Sequence, residues 1–319
     1  PVLTHFRSDR TIDQERMARH FETLSSFVKG VMLPGSTGEG WDLTEVQRGE
    51  LLRVALQLAQ KLDMRILIGV LRQELDQMLA VIEGTVSWLC EETSQPSGVA
   101  AMLHSNVVGF TVCPPTGADL GDQKIQESLA AVLELGHPTA LYQLPQITQN
   151  EMSPEVVEDL AEQYSNFYLF KDTSGEDRVA QSGVNLKGVF LVRGAEGEYH
   201  RWLRSSGGVY DGYLLSAANG FAPQLAEVVE LATSQPEKAE QLAHRVQRVM
   251  QRCFHIVDGF PTANPFTNAN KLIDHVMAFG ASAPAAPPPY LSNGTQLPAE
   301  FIAQAWEALE EQQLLPGGG

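Results

Sequence analysis

The residue with the most chemical promise is Lys171, which closes Phe167-Tyr168-Leu169-Phe170-Lys171 and precedes Asp172-Thr173-Ser174-Gly175. An apolar, aromatic run bounded by Asp, Ser and Gly reads as a short buried strand followed by a turn. Alternation along a strand puts Lys171 on the face of Leu169 and Phe167. Lysine is seldom buried unless it is paired or employed. Burial disfavours the ammonium form, and a neutral amine can attack a carbonyl to form a Schiff base. The competing reading is a lysine that snorkels from the strand end to solvent.

Other residues that could do chemistry also fall at the ends of strand-like runs. They are Gly35-Ser36-Thr37-Gly38, Tyr142, Thr173, Gly194 with Glu196, and Ser216 with Asn219. Together they suit one task, holding a small keto acid. The glycine-rich turn offers two hydroxyls and several backbone N–H groups, the equipment of an anion site. It lacks the Gly-Lys-Ser/Thr ending of a nucleotide-binding loop, and it is neither Gly-x-Gly-x-x-Gly nor Gly-x-Ser-x-Gly. By itself it reads as a plain tight turn. Tyr142 is a core aromatic with a satisfied hydroxyl or, beside a Schiff-base lysine, a proton shuttle. Glu39 is expected to stabilise its turn and the next helix, and Asp172 to face away from Lys171. No His-Glu-x-x-His occurs, and His255/Asp258 and Asp274/His275 are isolated pairs, so neither a metal nor an organic cofactor is expected.

The elements that must position these residues alternate regularly. Val2–Phe6, Val31–Leu33, Arg65–Val70, Val107–Cys113, Thr139–Leu144, Phe167–Lys171, Val189–Val192 and Gly208–Ser216 read as strands. Helix-period segments lie between them: Met17, Phe21, Leu24 and Val28 on one face, Thr44 to Leu62 with Thr44 as N-cap, then Leu75 to Leu89. Others run from Ile125 to Leu133, from Ser153-Pro154 onward, over Glu176–Gln181, over Tyr199–Arg204 and over Pro223–Thr233. Eight strand–helix units imply a parallel sheet closed into a (β/α)8 TIM barrel over residues 1–235. A helical extension over 236–319 follows, with a Pro/Ala-rich connector from Gly280 to Pro298.

Composition sets wider bounds. The chain has 319 residues, 43% of them hydrophobic, and a net charge of -17. That charge argues against nucleic acid or an anionic membrane as partner. Three scattered cysteines form no disulfide framework or zinc spacing, and Pro1–Phe6 has no signal-peptide pattern. No apolar run reaches membrane length. A cytoplasmic setting is expected.

Three motifs in this order and spacing resemble the dihydrodipicolinate synthase / N-acetylneuraminate lyase family. They are Gly35-Ser36-Thr37-Gly38-Glu39, Tyr142-Gln143-Leu144-Pro145 and Lys171-Asp172-Thr173-Ser174-Gly175. The Leu3-Thr4-x-Phe6 start and Asn264-Pro265-Phe266 with Lys271 extend the resemblance over nearly the whole chain. It implies a (β/α)8 barrel with a C-terminal helical extension, usually a homotetramer built as a dimer of dimers. It implies Lys171 as the Schiff-base lysine, Tyr142 as the proton-shuttling phenol, and Ser36 and Thr37, beside Gly35, as holders of the keto-acid carboxylate. Thr173, Gly194, Glu196 and Ser216 match positions near the rest of the substrate.

The departures narrow the activity. Ile147 stands where dihydrodipicolinate synthases carry an arginine for the second substrate, so lysine biosynthesis is not expected. Thr116 replaces the tyrosine that those enzymes lend across a dimer, Gln149 a glycine and His5 a proline. Ala195 and Gly197 sit where sialic acid lyases place polar residues. The expected activity is a Schiff-base lyase acting on a 2-keto acid, pyruvate or a 2-keto-3-deoxy sugar acid, by C3–C4 aldol cleavage or condensation. A dehydratase of a deoxy-keto sugar acid is the alternative through the same imine. A non-catalytic keto-acid-binding or scaffold barrel is the reading from another class.

Overall fold

The computed structural model describes residues 1–317. In chain order, α1 (Gln14–Ser25), β1 (Gly30–Leu33), α2 (Glu45–Lys61), β2 (Arg65–Val70) and α3 (Leu75–Thr93) come first. They are followed by α4 (Gly98–His104), β3 (Val107–Val112), α5 (Asp122–Leu133), β4 (Thr139–Gln143), α6 (Pro145–Thr148) and α7 (Pro154–Gln163). Then come β5 (Phe167–Asp172), α8 (Arg178–Gln181), β6 (Phe190–Arg193) and β7 (Gly212–Tyr213). The chain closes with α9 (Ala218–Ser234), α10 (Pro236–Ile256), α11 (Pro265–Phe279) and α12 (Ala299–Glu311). This is the strand–helix alternation of the TIM-barrel plan with a C-terminal helical extension, carried among the described residues by seven strands rather than the eight expected. Among the described residues no helix is long and apolar enough to cross a membrane.

Two compact units make up the chain. One comprises Pro1–Met64, Glu196–Arg201 and the chain from Ser216 on; the other comprises Arg65–Ala195 and Trp202–Leu215. In the second unit β2 to β7 form consecutive parallel pairs. Ile68 pairs with Phe110, Phe110 with Thr139, Tyr142 with Lys171, and Lys171 with Val192. All of β4 and all but the first residue of β2 are buried. That is the continuous burial expected of parallel strands covered on both faces.

In the first unit the sequence cues act locally as expected. Thr44 caps α2 in a full capping box with Gln47, satisfying donors the first turn would leave orphaned. α10 turns one apolar stripe inward, with Ala243, Val246, Val249, Met250 and Cys253 buried.

Several expected boundaries are corrected. Val2–Phe6 forms no ladder; Phe6 makes only isolated bridges to Ile12 and Tyr290. Its backbone donors go elsewhere: Val2 N–H to Met32 O, Leu3 N–H to Asn219 Oδ1 and His5 N–H to Met17 Sδ. Gly208–Ser216 shrinks to Gly212–Tyr213, because the amides of Gly208, Val209 and Tyr210 fold back onto Leu203 and Trp202. The helix expected over Tyr199–Arg204 is absent; a single 3-10 turn at Arg204–Ser206 takes its place. α9 begins before Pro223 and is kinked at Phe221, consistent with the backbone donor that proline lacks. α4 and the single turn α6 were not visible in the hydrophobic period.

Candidate active site

Lys171 lies on β5, only 2% exposed, so the snorkelling alternative is excluded. On the adjacent strand Tyr142 is its direct pairing partner. The lysine Nζ sits 3.9 Å from the centroid of the phenol ring, within the range where an ammonium is attracted to a π-face. Both residues are placed by strand backbone, which fixes position more tightly than a loop would.

β6 supplies the third wall. Gly194 follows it and donates its N–H to Asp172 O at 2.6 Å. A Cβ at Gly194 would lie 2.4 Å from Thr173 Oγ1 and 2.7 Å from Lys171 Cε. Only a residue without a side chain lets the strand end approach the lysine so closely. Thr173 is anchored through its backbone, N–H to Gln143 O at 3.0 Å and its carbonyl accepting from Gln146 Nε2 at 2.9 Å. Its hydroxyl is buried and has no partner among the described residues, a polar group available to a ligand. Lys171, Tyr142, Thr173 and Gly194 are thus brought together.

Cys113, just past β3, belongs to the same neighbourhood, and no motif singles it out. Burial pushes its thiol well above the ordinary value, and the charge of Lys171 only partly offsets this. The thiol therefore stays protonated and is no nucleophile. Asp172 is buried and faces away from the lysine, as alternation requires. It accepts from Ser174 N–H at 2.8 Å and Ser174 Oγ at 2.6 Å. Behind it Arg193 grips Asp177 through Nε and Nη2 at 2.9 and 3.0 Å, stacks on Trp202, and Tyr210 donates to Asp177 at 2.6 Å. No motif announced this buried cluster, because its members are spread from 172 to 210.

In the other unit, Ser36–Gly38 forms one 3-10 turn, with Gly35 as its N-cap and Glu39 in a left-handed conformation after it. Ser36 Oγ accepts the indole N–H of Trp41 at 2.8 Å, which leaves the hydroxyl proton to donate elsewhere. Ser36 O accepts from Asn264 Nδ2 at 2.9 Å and Thr267 Oγ1 at 3.0 Å. Thr37 is buried beside it. A Cβ on Gly38 would meet Val2 O at 2.5 Å, so this glycine serves a close backbone approach. Glu39 accepts from Lys271 Nζ at 2.5 Å and Ser292 N–H at 2.7 Å. Its role is broader than expected, since it ties the turn to α11. Burial lowers the Lys271 pKa, and Glu39 counters that.

Glu196 and Ser216 also meet, but they are engaged with each other. Glu196 accepts Ser216 Oγ at 2.5 Å, Ala217 N–H at 3.0 Å and Tyr199 Oη at 2.9 Å. Asn270 Nδ2 donates to Ser216 Oγ at 3.0 Å. Both side chains are held as a loop clasp.

Residues 1–287 match the model of the Dihydrodipicolinate synthetase family. A 4-hydroxy-tetrahydrodipicolinate synthase of Stenotrophomonas maltophilia is 26% identical over 247 residues, 75% of each chain. A probable 5-dehydro-4-deoxyglucarate dehydratase of Corynebacterium glutamicum is 28% identical over 174 residues, 54% of this chain and 48% of that protein. Among solved structures, a variant of the Sulfolobus solfataricus 2-keto-3-deoxygluconate aldolase, in complex with L-2-keto-3-deoxygalactonate, superposes with a TM-score of 0.74. It has 16% identity and covers 98% of this chain and 94% of its own. The chain belongs to the dihydrodipicolinate synthetase family and is a lyase of the aldolase type.

Proposed function

We propose that this lyase acts on a 2-keto acid, pyruvate or a 2-keto-3-deoxy sugar acid, through a Schiff base on Lys171. The observation that carries the reading is the buried lysine, 3.9 Å from the Tyr142 ring and given room at its Cε by Gly194. Neutral Lys171 attacks C2 of the keto acid, and loss of water leaves an iminium. Tyr142 gives its phenol proton to the departing hydroxyl as water leaves, and the resulting phenolate takes the proton of the C4 hydroxyl as the C3–C4 bond breaks. The bonding electrons pass into the iminium and give an enamine. Protonation at C3 and hydrolysis then release pyruvate and regenerate the amine; condensation is the reverse. Ser36 and Thr37 are assigned the substrate carboxylate, and Thr173 a polar group of its tail. Catalysis is assigned to residues 1–235, within a homotetrameric, cytoplasmic enzyme.

A second reading, dehydration of a deoxy-keto sugar acid, is favoured by the Corynebacterium glutamicum relative. It uses the same imine but removes a C3 proton before the C4 hydroxyl leaves.

Incubation with pyruvate and sodium borohydride, followed by intact mass and a peptide map, tests the imine. A reduced pyruvate adduct on Lys171 supports it. If neither pyruvate nor a 2-keto-3-deoxy acid leaves an adduct on folded protein, the imine mechanism fails and a keto-acid-binding barrel replaces it.

A further inference from the structure

His5, His20 and Asp274 are far apart in sequence and meet inside the first unit. One sits on the opening segment, one on α1 and one on α11. All three are buried, and their ligand-type atoms lie within 4.8 Å of one another. His20 Nδ1 is 3.0 Å from Asp274 Oδ1, and His5 Nε2 is 3.8 Å from Asp274 Oδ2. A tetrahedral ion with bonds of about 2.0–2.1 Å holds its donors roughly 3.3 Å apart. The His20 Nδ1 to Asp274 Oδ1 separation of 3.0 Å lies near that value.

The hydrogen bonds around His20 assign its tautomer. Its Nε2 lies 2.9 Å from Asn219 Oδ1. The Asn219 amide cannot be turned round: Oδ1 also accepts Leu3 N–H, and Nδ2 donates to Pro1 O and Ser216 O. His20 therefore carries its proton on Nε2 and donates it to Asn219. A neutral ring then aims the Nδ1 lone pair at a carboxylate oxygen, which is repulsive unless a cation lies between them. The cation is either a second ring proton or a metal. A ligating histidine fixed through its other nitrogen is the usual outer-shell arrangement of metal sites.

His5 decides between these. Its Nε2 is buried and has no hydrogen-bond partner among the described residues. A proton shared by His20 and Asp274 would leave that nitrogen idle, whereas a metal would use it. Arg16 Nη2 holds Asp274 Oδ2 at 2.5 Å, orienting the carboxylate and leaving Oδ1 for the ion. A cavity of about 450 Å³, lined in part by His5, Arg16, Asp274 and Tyr290, opens alongside and gives a fourth ligand, water, a route in. We infer that His5, His20 and Asp274 bind one divalent transition-metal ion of the zinc type, apart from the imine chemistry. Two imidazoles and one carboxylate suit zinc and its neighbours better than magnesium or calcium.

Chelator-stripped protein titrated with Co²⁺ and then Zn²⁺ tests this. One Co²⁺ per chain is expected, with visible d–d absorption, displacement by Zn²⁺, and a rise in Tm on metal addition. His5→Gln and His5→Phe leave the Arg16–Asp274 pair intact. Each should weaken binding at least about 100-fold, beyond the effect of losing an outer-shell partner, and abolish the d–d bands. Binding that is absent, or unchanged in both variants, overturns the site. So does a His20 ring that remains protonated on both nitrogens, by ¹⁵N NMR, with one equivalent of Zn²⁺ present. Borohydride trapping on Lys171 is scored separately, so failure of the imine reading and failure of this one are distinguishable.

Discussion

Tyr142 and Lys171 are direct neighbours across the parallel β4–β5 ladder, with the amine 3.9 Å from the ring centroid. Because both sit on strands, their relation is set by register: a slip of one residue would send Tyr142 to the other face of the sheet. Replacement of Lys171 by Ala or Arg should abolish both turnover and borohydride trapping. Tyr142→Phe should keep trapping while lowering kcat about 10²–10⁴-fold, the span of lost acid–base catalysis. Steady-state kinetics with intact-mass trapping checks both, and a fully active Lys171→Ala would sink the mechanism.

Gly194→Ala probes the same site without touching a reactive group. The added methyl would lie 2.7 Å from Lys171 Cε and 2.4 Å from Thr173 Oγ1. The lysine must rotate or the strand end must shift. We expect trapping to slow at least about tenfold, with the Tm lowered by only a few degrees, since overpacking costs about 1–3 kcal/mol. Unchanged trapping would show that the amine has more room than the structure gives it.

Asp172 yields a pH prediction. Burial raises its pKa above the ordinary 3.8; hydrogen bonds from Ser174 oppose this, the charge of Asp177 reinforces it, and Tyr210 opposes it. Between 3.8 and the raised value the folded chain holds a proton that the unfolded chain has lost. Stability from this group is therefore complete below 3.8 and declines as the pH rises through the folded value. Asp172→Asn cannot ionise and keeps the Oδ1 that Ser174 uses. Its Tm relative to the parent should improve from pH 4 to pH 7, at about 2–4 °C per kcal/mol. Melting curves across that range check it, and a gap independent of pH refutes it.

The Glu39–Lys271 pair is wholly buried, with exposures of 0% and 1% on the two side chains. Breaking it strands a charge in the interior, so Lys271→Met should cost about 3–5 kcal/mol. Glu39→Gln together with Lys271→Met should recover part of that loss. Urea unfolding of the two single variants and the double closes the cycle. Strict additivity would mean that the pair is not coupled.

Features carried by short stretches of chain follow from the residues alone. The alternation of apolar periods announced strands and helices in nearly the right places, and Thr44 and Ser153 marked helix starts as caps. The three motifs identified Lys171, Tyr142 and the Ser36–Thr37 turn. These are local or pattern-borne signals, and they survive in any tertiary setting. Folding is what buries Lys171, sets Tyr142 opposite it and leaves room at its Cε beside Gly194. It also engaged Glu196 and Ser216 with each other and gathered His5, His20 and Asp274. Register, side-chain partners and burial depend on residues tens to hundreds of positions apart, and spacing within the sequence carries no record of them. The opening segment shows the limit clearly. Val2–Phe6 has strand composition, yet its donors are taken by Met32, Asn219 and Met17, and a ladder never forms.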